Sequence, residues 1–269
     1  MGSLSALNAR LAELGSLLVA FSGGADSAFL LAAATRVLGA DQVVAATAIS
    51  ASLPGSELEA AREFAAGLGV RHLTPGTDEM AREGYRANGA DRCFFCKAEL
   101  LDVLRPVADS LGLTNVATGT NADDAVAGFR PGIRAAAERG AVTPLLDAGL
   151  TKTEVRELSR EWELSTWDKP AAACLSSRIA YGIEVSPHRL ARVERAEAGL
   201  RTAMQNAGLA VRNLRVRDVG DVARVEVDVG LASLLSGRSD LLAVVSGFDA
   251  VEVDPRGFRS GSMNEALSK

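Results

Sequence analysis

The residues best suited to chemistry in this chain are the hexapeptide Ser22-Gly23-Gly24-Ala25-Asp26-Ser27, the pair Cys93 and Cys96, the acids Asp123 and Asp124, and Cys174 with Arg178. Two adjacent glycines let backbone N–H groups converge without Cβ interference, and a helix start adds unpaired donors and the positive end of its dipole. A turn built from Ser22, Gly23, Gly24 and Ser27 therefore binds phosphate, with Asp26 as an acid beside it. It is not a Walker loop, because no Gly-Lys-Ser/Thr follows the glycines. The plainer alternative is a tight turn in which Asp26 or Ser27 caps the next helix.

The cysteines offer sulfur chemistry. A C-x-x-C at the mouth of a helix puts both sulfurs on one side of the first turn, near donors that lower thiol pKa. Such a pair suits a metal, a cluster or a redox couple; the alternative is two small buried residues beside Phe94 and Phe95. Three cysteines in 269 residues make no disulfide framework and suit a reducing cytoplasm. Cys174 and Arg178 end an alanine-rich stretch, 168–178, too irregular for a helix or strand and suited to a reaching loop. Lys97 and Arg178, each near a cysteine, either stabilise thiolates, bind substrate acids or are solvated cations.

The elements that must position these groups are legible as hydrophobic patterns. The apolar run 17–21 enters the glycine turn and a second, 28–34, leaves it, so the turn joins a buried strand to a helix. Residues 43–49 read as a buried parallel strand ending at Ser50. A helix over 56–68 with Ser56 as cap, a short strand over 71–73 and a strand over 115–118 follow. That last strand leads into Gly119 and then Asp123-Asp124, a junction that lies beside the first in a parallel sheet. Its acids either hold Mg²⁺, which takes one or two carboxylates and keeps waters, or cap the next turn. Arg130, in the turn after them, is available for a phosphate. Residues 142–145 read as a last short strand, and Thr151 with Glu154 as a capping box opening a helix through 164. Leu4, Leu7, Leu11 and Leu14 place an amphipathic helix at the start.

Beyond 187 the pattern changes. A charged helix over 187–206, alternating strands over 214–217 and 222–229 with one wet face, a helix over 231–245 and a strand over 250–253 form a small α+β unit. The expected organisation is an α/β domain, 1–178, with a parallel sheet flanked by helices, and a C-terminal domain, 179–269. His72 and His188 read as ordinary structural or exposed residues.

Composition narrows the function. The chain is 48% apolar, enough for a core, and carries a net charge of −5, without the basic footprint of a protein that grips nucleic acid. No run of about eighteen apolar residues occurs, and no basic region precedes an apolar core at the start. The expectation is a soluble cytoplasmic protein without a nucleic-acid or membrane partner.

The SGGADS hexapeptide resembles the signature of the PP-loop ATP pyrophosphatases, which adenylate a carboxyl or carbonyl oxygen and release pyrophosphate. In that superfamily the end of the second strand holds adenine, which makes Ser50 a candidate. SGGADS, RCFFCK, ATGTNADD, KPAAACLSSR with YG two residues on, and the terminal GFRSGSMNE together resemble the LarE family over nearly the full length. LarE proteins are ATP-dependent sulfur transferases in assembly of the nickel-pincer cofactor of lactate racemase.

The resemblance implies ATP and Mg²⁺, and a pyridinium biscarboxylate mononucleotide whose carboxylates are adenylated and converted to thiocarboxylates. In some members the cysteine at the place of Cys174 gives up its sulfur and ends as dehydroalanine. In others three cysteines hold a 4Fe-4S cluster whose open iron carries sulfide. Cys93, Cys96 and Cys174 all fall within the motifs and would leave one iron without a protein ligand, which favours the cluster mode. The resemblance also implies an anion site at subunit contacts, with Glu197, Arg215 and Arg217 as candidates, against the alternative of a solvated strand face. A ring-like homo-oligomer and pathway partners that insert nickel and carboxylate the precursor are implied as well. Rival functions are a tRNA thiolase, an amide-forming PP-loop synthetase, and a non-catalytic nucleotide-binding iron–sulfur scaffold.

Overall fold

The computed structural model describes residues 2–126, 128, 130–170 and 173–268. Phe129, Ala171 and Ala172, which belong to the expected Arg130 turn and the cysteine-bearing stretch, lie outside them. The chain divides into two compact units, Met1–Arg82 with Asp91–Ala172 and Glu83–Ala90 with Ala173–Lys269.

In the first unit, α1 (Ser3–Leu14) buries Leu7 and Leu11. It leads into β1 (Leu17–Ala20), the glycine turn, α2 (Ala25–Leu38), β2 (Val43–Ala46), α3 (Gly55–Gly67) and β3 (Arg71–Leu73). The short α4 (Glu83–Arg86) belongs to the second unit. Back in the first unit, α5 (Arg92–Ser110) and β4 (Asn115–Thr118) are followed by α6 (Ala122–Val126), α7 (Pro131–Glu138), α8 (Pro144–Asp147) and α9 (Lys152–Glu161). Among the described residues the sheet has the order β3-β2-β1-β4, all parallel. Both faces are covered. Leu17 and Val19 pack with Leu7, Leu11 and Phe29, while Leu18, Ala20 and Val44 pack with Leu101 and Leu104 of α5. This double burial is why β1 and β2 are apolar throughout rather than alternating.

The strand order reverses at β1, since β2 and β3 lie to one side and β4 to the other. The carboxyl ends of β1 and β4 thus flank the crevice where open α/β sheets bind ligands.

Three local expectations change in the first unit. The strand expected over 142–145 is a single parallel bridge from Val142 to Ala117, because Pro144 has no N–H for a ladder and opens α8 instead. Ser56 caps nothing: α3 starts at Gly55 after Pro54, which leaves Ser56 inside the first turn. The run 43–49 pairs as a strand only to Ala46, with Ile49 bridging Gly76. The capping box forms as expected, Thr151 accepting from the Glu154 amide and Glu154 from the Thr151 amide.

The second unit holds α10 (Pro187–Asn206), β5 (Leu214–Asp218), β6 (Val222–Val227), α11 (Val229–Ser236), α12 (Ser239–Leu242) and β7 (Ala250–Val253). Its sheet pairs β5 with β6 antiparallel and β6 with β7 parallel. Leu200, Met204, Val216, Val225 and Leu235 form its core. The single helix expected over 231–245 is interrupted at Gly237, which ends α11. Asn88, at φ 54° and fully buried, ties the 83–90 segment into this unit: its amide donates to Ala180 O and Ile183 O, each at 2.8 Å. Among the described residues no helix is long and apolar enough to cross a membrane.

Candidate functional site

In the first unit the glycine turn links β1 to α2. Gly23 has φ +71°, a conformation glycine adopts without Cβ strain. The two serines close the turn: Ser22 Oγ lies 3.1 Å from Ser27 Oγ, and the Ser27 hydroxyl donates to Gly24 O at 3.1 Å. Gly24 occupies the N-cap of α2, and no side chain caps the helix, so the capping alternative for Asp26 and Ser27 does not hold.

Asp26 instead faces two partners from later in the chain. Lys152 Nζ donates to its Oδ2 at 2.5 Å, and the Asn121 amide to its Oδ1 at 3.3 Å. At the turn backbone, Lys169 Nζ donates to Gly23 O at 3.0 Å and, beside it, to Glu57 Oε2 at 2.7 Å.

Above these groups lies a cavity of about 300 Å³, the low end of the range for small-molecule sites. Its lining includes Ser22, Gly24, Asp26 and Ser27 from the turn, Thr47 and Ala48 after β2, Lys97 from α5, and Gly119 and Asp124 after β4. Gly119 is there for a packing reason: a Cβ on it would lie 2.8 Å from Ser27 N. Only a glycine lets the β4 loop approach the start of α2 so closely. Burial pushes the Lys97 ammonium below the usual lysine range, while the neighbouring Cys96 and Cys93 act in the opposite sense.

The adjacent acids part company. Asp124 lines the cavity, where its Oδ2 accepts from Asn121 N at 3.3 Å. Asp123 turns to α9 and accepts from Lys152 N at 2.7 Å. Arg130, half exposed, stands 3.7 Å from Asp124 Oδ1. Ser50 bonds within its own loop, its Oγ 3.0 Å from Ser52 Oγ, and Thr47 and Ala48 present the β2 end to the cavity instead.

Cys93 and Cys96 sit in the first turn of α5, Cys93 exposed and Cys96 half-buried. Cys174 belongs to the second unit, where it precedes a 3-10 turn, Leu175–Arg178, and its Sγ lies 2.9 Å from Ser176 Oγ. Among the described residues no group of three or more His, Cys, Asp or Glu is arranged to hold a metal ion.

Arg178 is buried and binds its own loop. Its guanidinium donates to Cys174 O at 3.0 Å and pairs with both oxygens of Glu197, at 3.0 and 3.2 Å. Glu197 Oε1 also accepts the Val216 amide of β5 at 3.0 Å. Burial pulls the Arg215 guanidinium down to about 10, with Arg178 pushing the same way and Glu197 opposing. Arg217 pairs at 2.6 Å with Glu226, whose other oxygen accepts from Ser262 of the tail at 2.8 Å. The wet face expected for β5 and β6 is thus occupied at Arg217 and Glu226 by a buried ion pair.

Sequence reasoning named the turn, Gly119 and Asp124 but gave Asn121 and Lys169 no role, although both stand inside its quoted motifs. Their partners lie 95 and 146 residues away in sequence, a relation no local pattern carries.

A parallel sheet with a glycine turn after its first strand, at the point where strand order reverses, defines an α/β fold of the PP-loop class. No protein-family model matches the chain. It is 42% identical over 267 residues to an uncharacterized protein of Synechocystis, covering 96% of this chain and 95% of the relative. It is 34% identical over 266 residues to the pyridinium-3,5-bisthiocarboxylic acid mononucleotide synthase of Lactiplantibacillus plantarum, covering 98% and 94%. An uncharacterized protein of Methanocaldococcus jannaschii matches at 27% over 175 residues, 64% of this chain and 66% of that one. The chain belongs to the LarE family, that of the Lactiplantibacillus synthase.

Proposed function

We propose that this protein is an ATP-dependent sulfur transferase of nickel-pincer cofactor assembly, converting the carboxylates of pyridinium-3,5-biscarboxylic acid mononucleotide to thiocarboxylates. The cavity at the carboxyl ends of β1 and β4, where the glycine turn, Asp26, Asp124 and Lys97 converge, carries this reading. The name of the Lactiplantibacillus relative supplies the product class.

ATP phosphates lie against the turn amides and the start of α2, whose dipole favours anions. Lys97 adds a cation from the facing helix. Asp124 and Asp26 provide the one or two carboxylates that Mg²⁺ usually takes. Bound there, Mg²⁺ would neutralise charge on the leaving pyrophosphate. A substrate carboxylate oxygen attacks the α-phosphorus, pyrophosphate departs, and the acyl adenylate is a mixed anhydride open to a sulfur nucleophile. Sulfur adds to the acyl carbon and AMP leaves with one former carboxylate oxygen.

Cys174 takes part in either of two routes for the sulfur. In one route its thiolate forms a thioester, a base removes the Cα proton, and the Cβ–S bond breaks to leave dehydroalanine and the thiocarboxylate. In the other, Cys93, Cys96 and Cys174 would hold a 4Fe-4S cluster, which would supply sulfide as the nucleophile. Thiolate donors suit such a cluster by their chemistry.

In the second unit, Arg215 together with Glu197 and Arg217 supports an anion site in a homo-oligomeric assembly. Measuring AMP and pyrophosphate with the pyridinium substrate tests the function. The transferase releases both in a substrate-dependent way; a scaffold protein binds ATP at most and releases neither.

A further inference from the structure

Lys169 is not among the cavity-lining residues, yet its ammonium donates to Gly23 O at 3.0 Å. Glu57, in the first turn of α3, pins the same ammonium at 2.7 Å. The peptide joining Gly23 to Gly24 is trans and planar, so its C=O and N–H point in opposite directions. Holding the Gly23 carbonyl towards Lys169 therefore holds the Gly24 N–H on the opposite side of the peptide. That N–H donates to Ser22 Oγ at 3.4 Å, and Ser22 and Gly24 both line the cavity.

The clamp is needed because of the glycines themselves. Neither residue carries a Cβ, and Gly23 already stands at φ +71°, so reversal of this peptide meets little steric resistance. Reversal would aim a carbonyl oxygen at the phosphates in place of a donor. No other hydrogen bond to Gly23 O is found among the described residues.

We infer that Lys169 is a positioning residue for nucleotide phosphates: through the Gly23 carbonyl, with Glu57 as its anchor, it fixes the Gly24 amide in the donating orientation. This inference rests on ATP binding at the turn, as proposed above. It makes Lys169 specific for the triphosphate rather than for adenine or ribose.

Calorimetry on the full-length protein with ATP and with AMP tests it. Loss of a charge-assisted hydrogen bond that orients a phosphate donor predicts that Lys169→Met weakens ATP about tenfold or more and leaves AMP within about threefold. Lys169→Gln, whose amide still donates to the carbonyl, falls between Met and wild type, and it carries the same comparison should the Met variant not fold. If wild-type protein binds ATP and both variants bind it equally well, the role of Lys169 fails while the nucleotide site stands. Equal weakening of ATP and AMP also overturns it, as a general loss of structure. Absence of ATP binding by wild type sinks the nucleotide site and this inference together.

Discussion

Lys152 Nζ lies 2.5 Å from Asp26 Oδ2, an ion pair that joins the first turn of α9 to the first turn of α2 across 126 residues of sequence. The acid of the glycine turn is therefore oriented by a partner, with Asn121 on its other oxygen. Its side chain remains about a quarter exposed, and Asp26 lines the cavity.

Asp26→Ala is expected to lower pyrophosphate release by about a hundredfold or more, the scale of removing one electrostatic contact to a transition state. The melting temperature should stay close to wild type, since a partly exposed acid in the first turn of α2 contributes little to the core. Unchanged pyrophosphate release would remove Asp26 from the reaction.

Gly119→Ala places a methyl 2.8 Å from Ser27 N and 3.0 Å from Ser27 Cα, both backbone atoms that cannot step aside. Forced overpacking of this kind costs about 1–3 kcal/mol. Chemical denaturation should show that loss together with weakened ATP binding, because the displaced atoms belong to the phosphate turn.

Arg217 and Glu226 are both nearly inaccessible and paired at 2.6 Å. Arg217→Met leaves the Glu226 carboxylate buried opposite an apolar side chain, at a cost of about 3–5 kcal/mol. Denaturation of the single variant should show this loss. The double variant Arg217→Met with Glu226→Gln should recover a large part of it.

His72 supplies a pH dependence. Burial, helped by Arg62, pushes its pKa below the ordinary histidine value. Thr47 gives its own proton to Phe21 O, so the His72 Nε2–H donates to the Thr47 hydroxyl at 2.8 Å. A depressed folded pKa means the unfolded chain binds the proton more readily. The stability tied to neutral His72 is present above about 6.5, the unfolded value, and is lost as pH falls through the folded pKa. His72→Gln should flatten the fall in melting temperature on acidification from about pH 7 to 5. Curves of equal slope would show that His72 contributes nothing.

Much of this site was legible because its chemistry is local. The apolar run before Ser22, the paired glycines and the apolar run after Asp26 fix a strand, turn and helix within a short stretch of chain. Likewise Thr151 and Glu154 form their capping box from neighbouring residues alone. What escaped was tertiary. Lys152 comes near the phosphate turn only if its helix points there, Lys169 carries no local signal, and folding brings them to Asp26 and Gly23. The 142–145 run matched a strand by composition, but the missing N–H of Pro144 ended the ladder after one bridge. Alternation in β5 predicted a wet face at Arg217, and only the diagonal pairing with Glu226 reveals a buried one.

The source of sulfur separates by composition of the protein after turnover. Three motif cysteines predict broad visible absorbance and about four irons per chain after anaerobic reconstitution. A colourless, iron-free protein that instead loses the mass of hydrogen sulfide at Cys174 assigns the sacrificial route.

The central claim is that a substrate carboxylate becomes bonded to the α-phosphorus of ATP before sulfur arrives. Single turnover with heavy-oxygen-labelled substrate carboxylates, followed by mass analysis of the released AMP, tests it most directly. The account predicts AMP carrying one labelled oxygen, transferred when the acyl adenylate breaks at its acyl carbon. Unlabelled AMP released alongside thiocarboxylate product would contradict it.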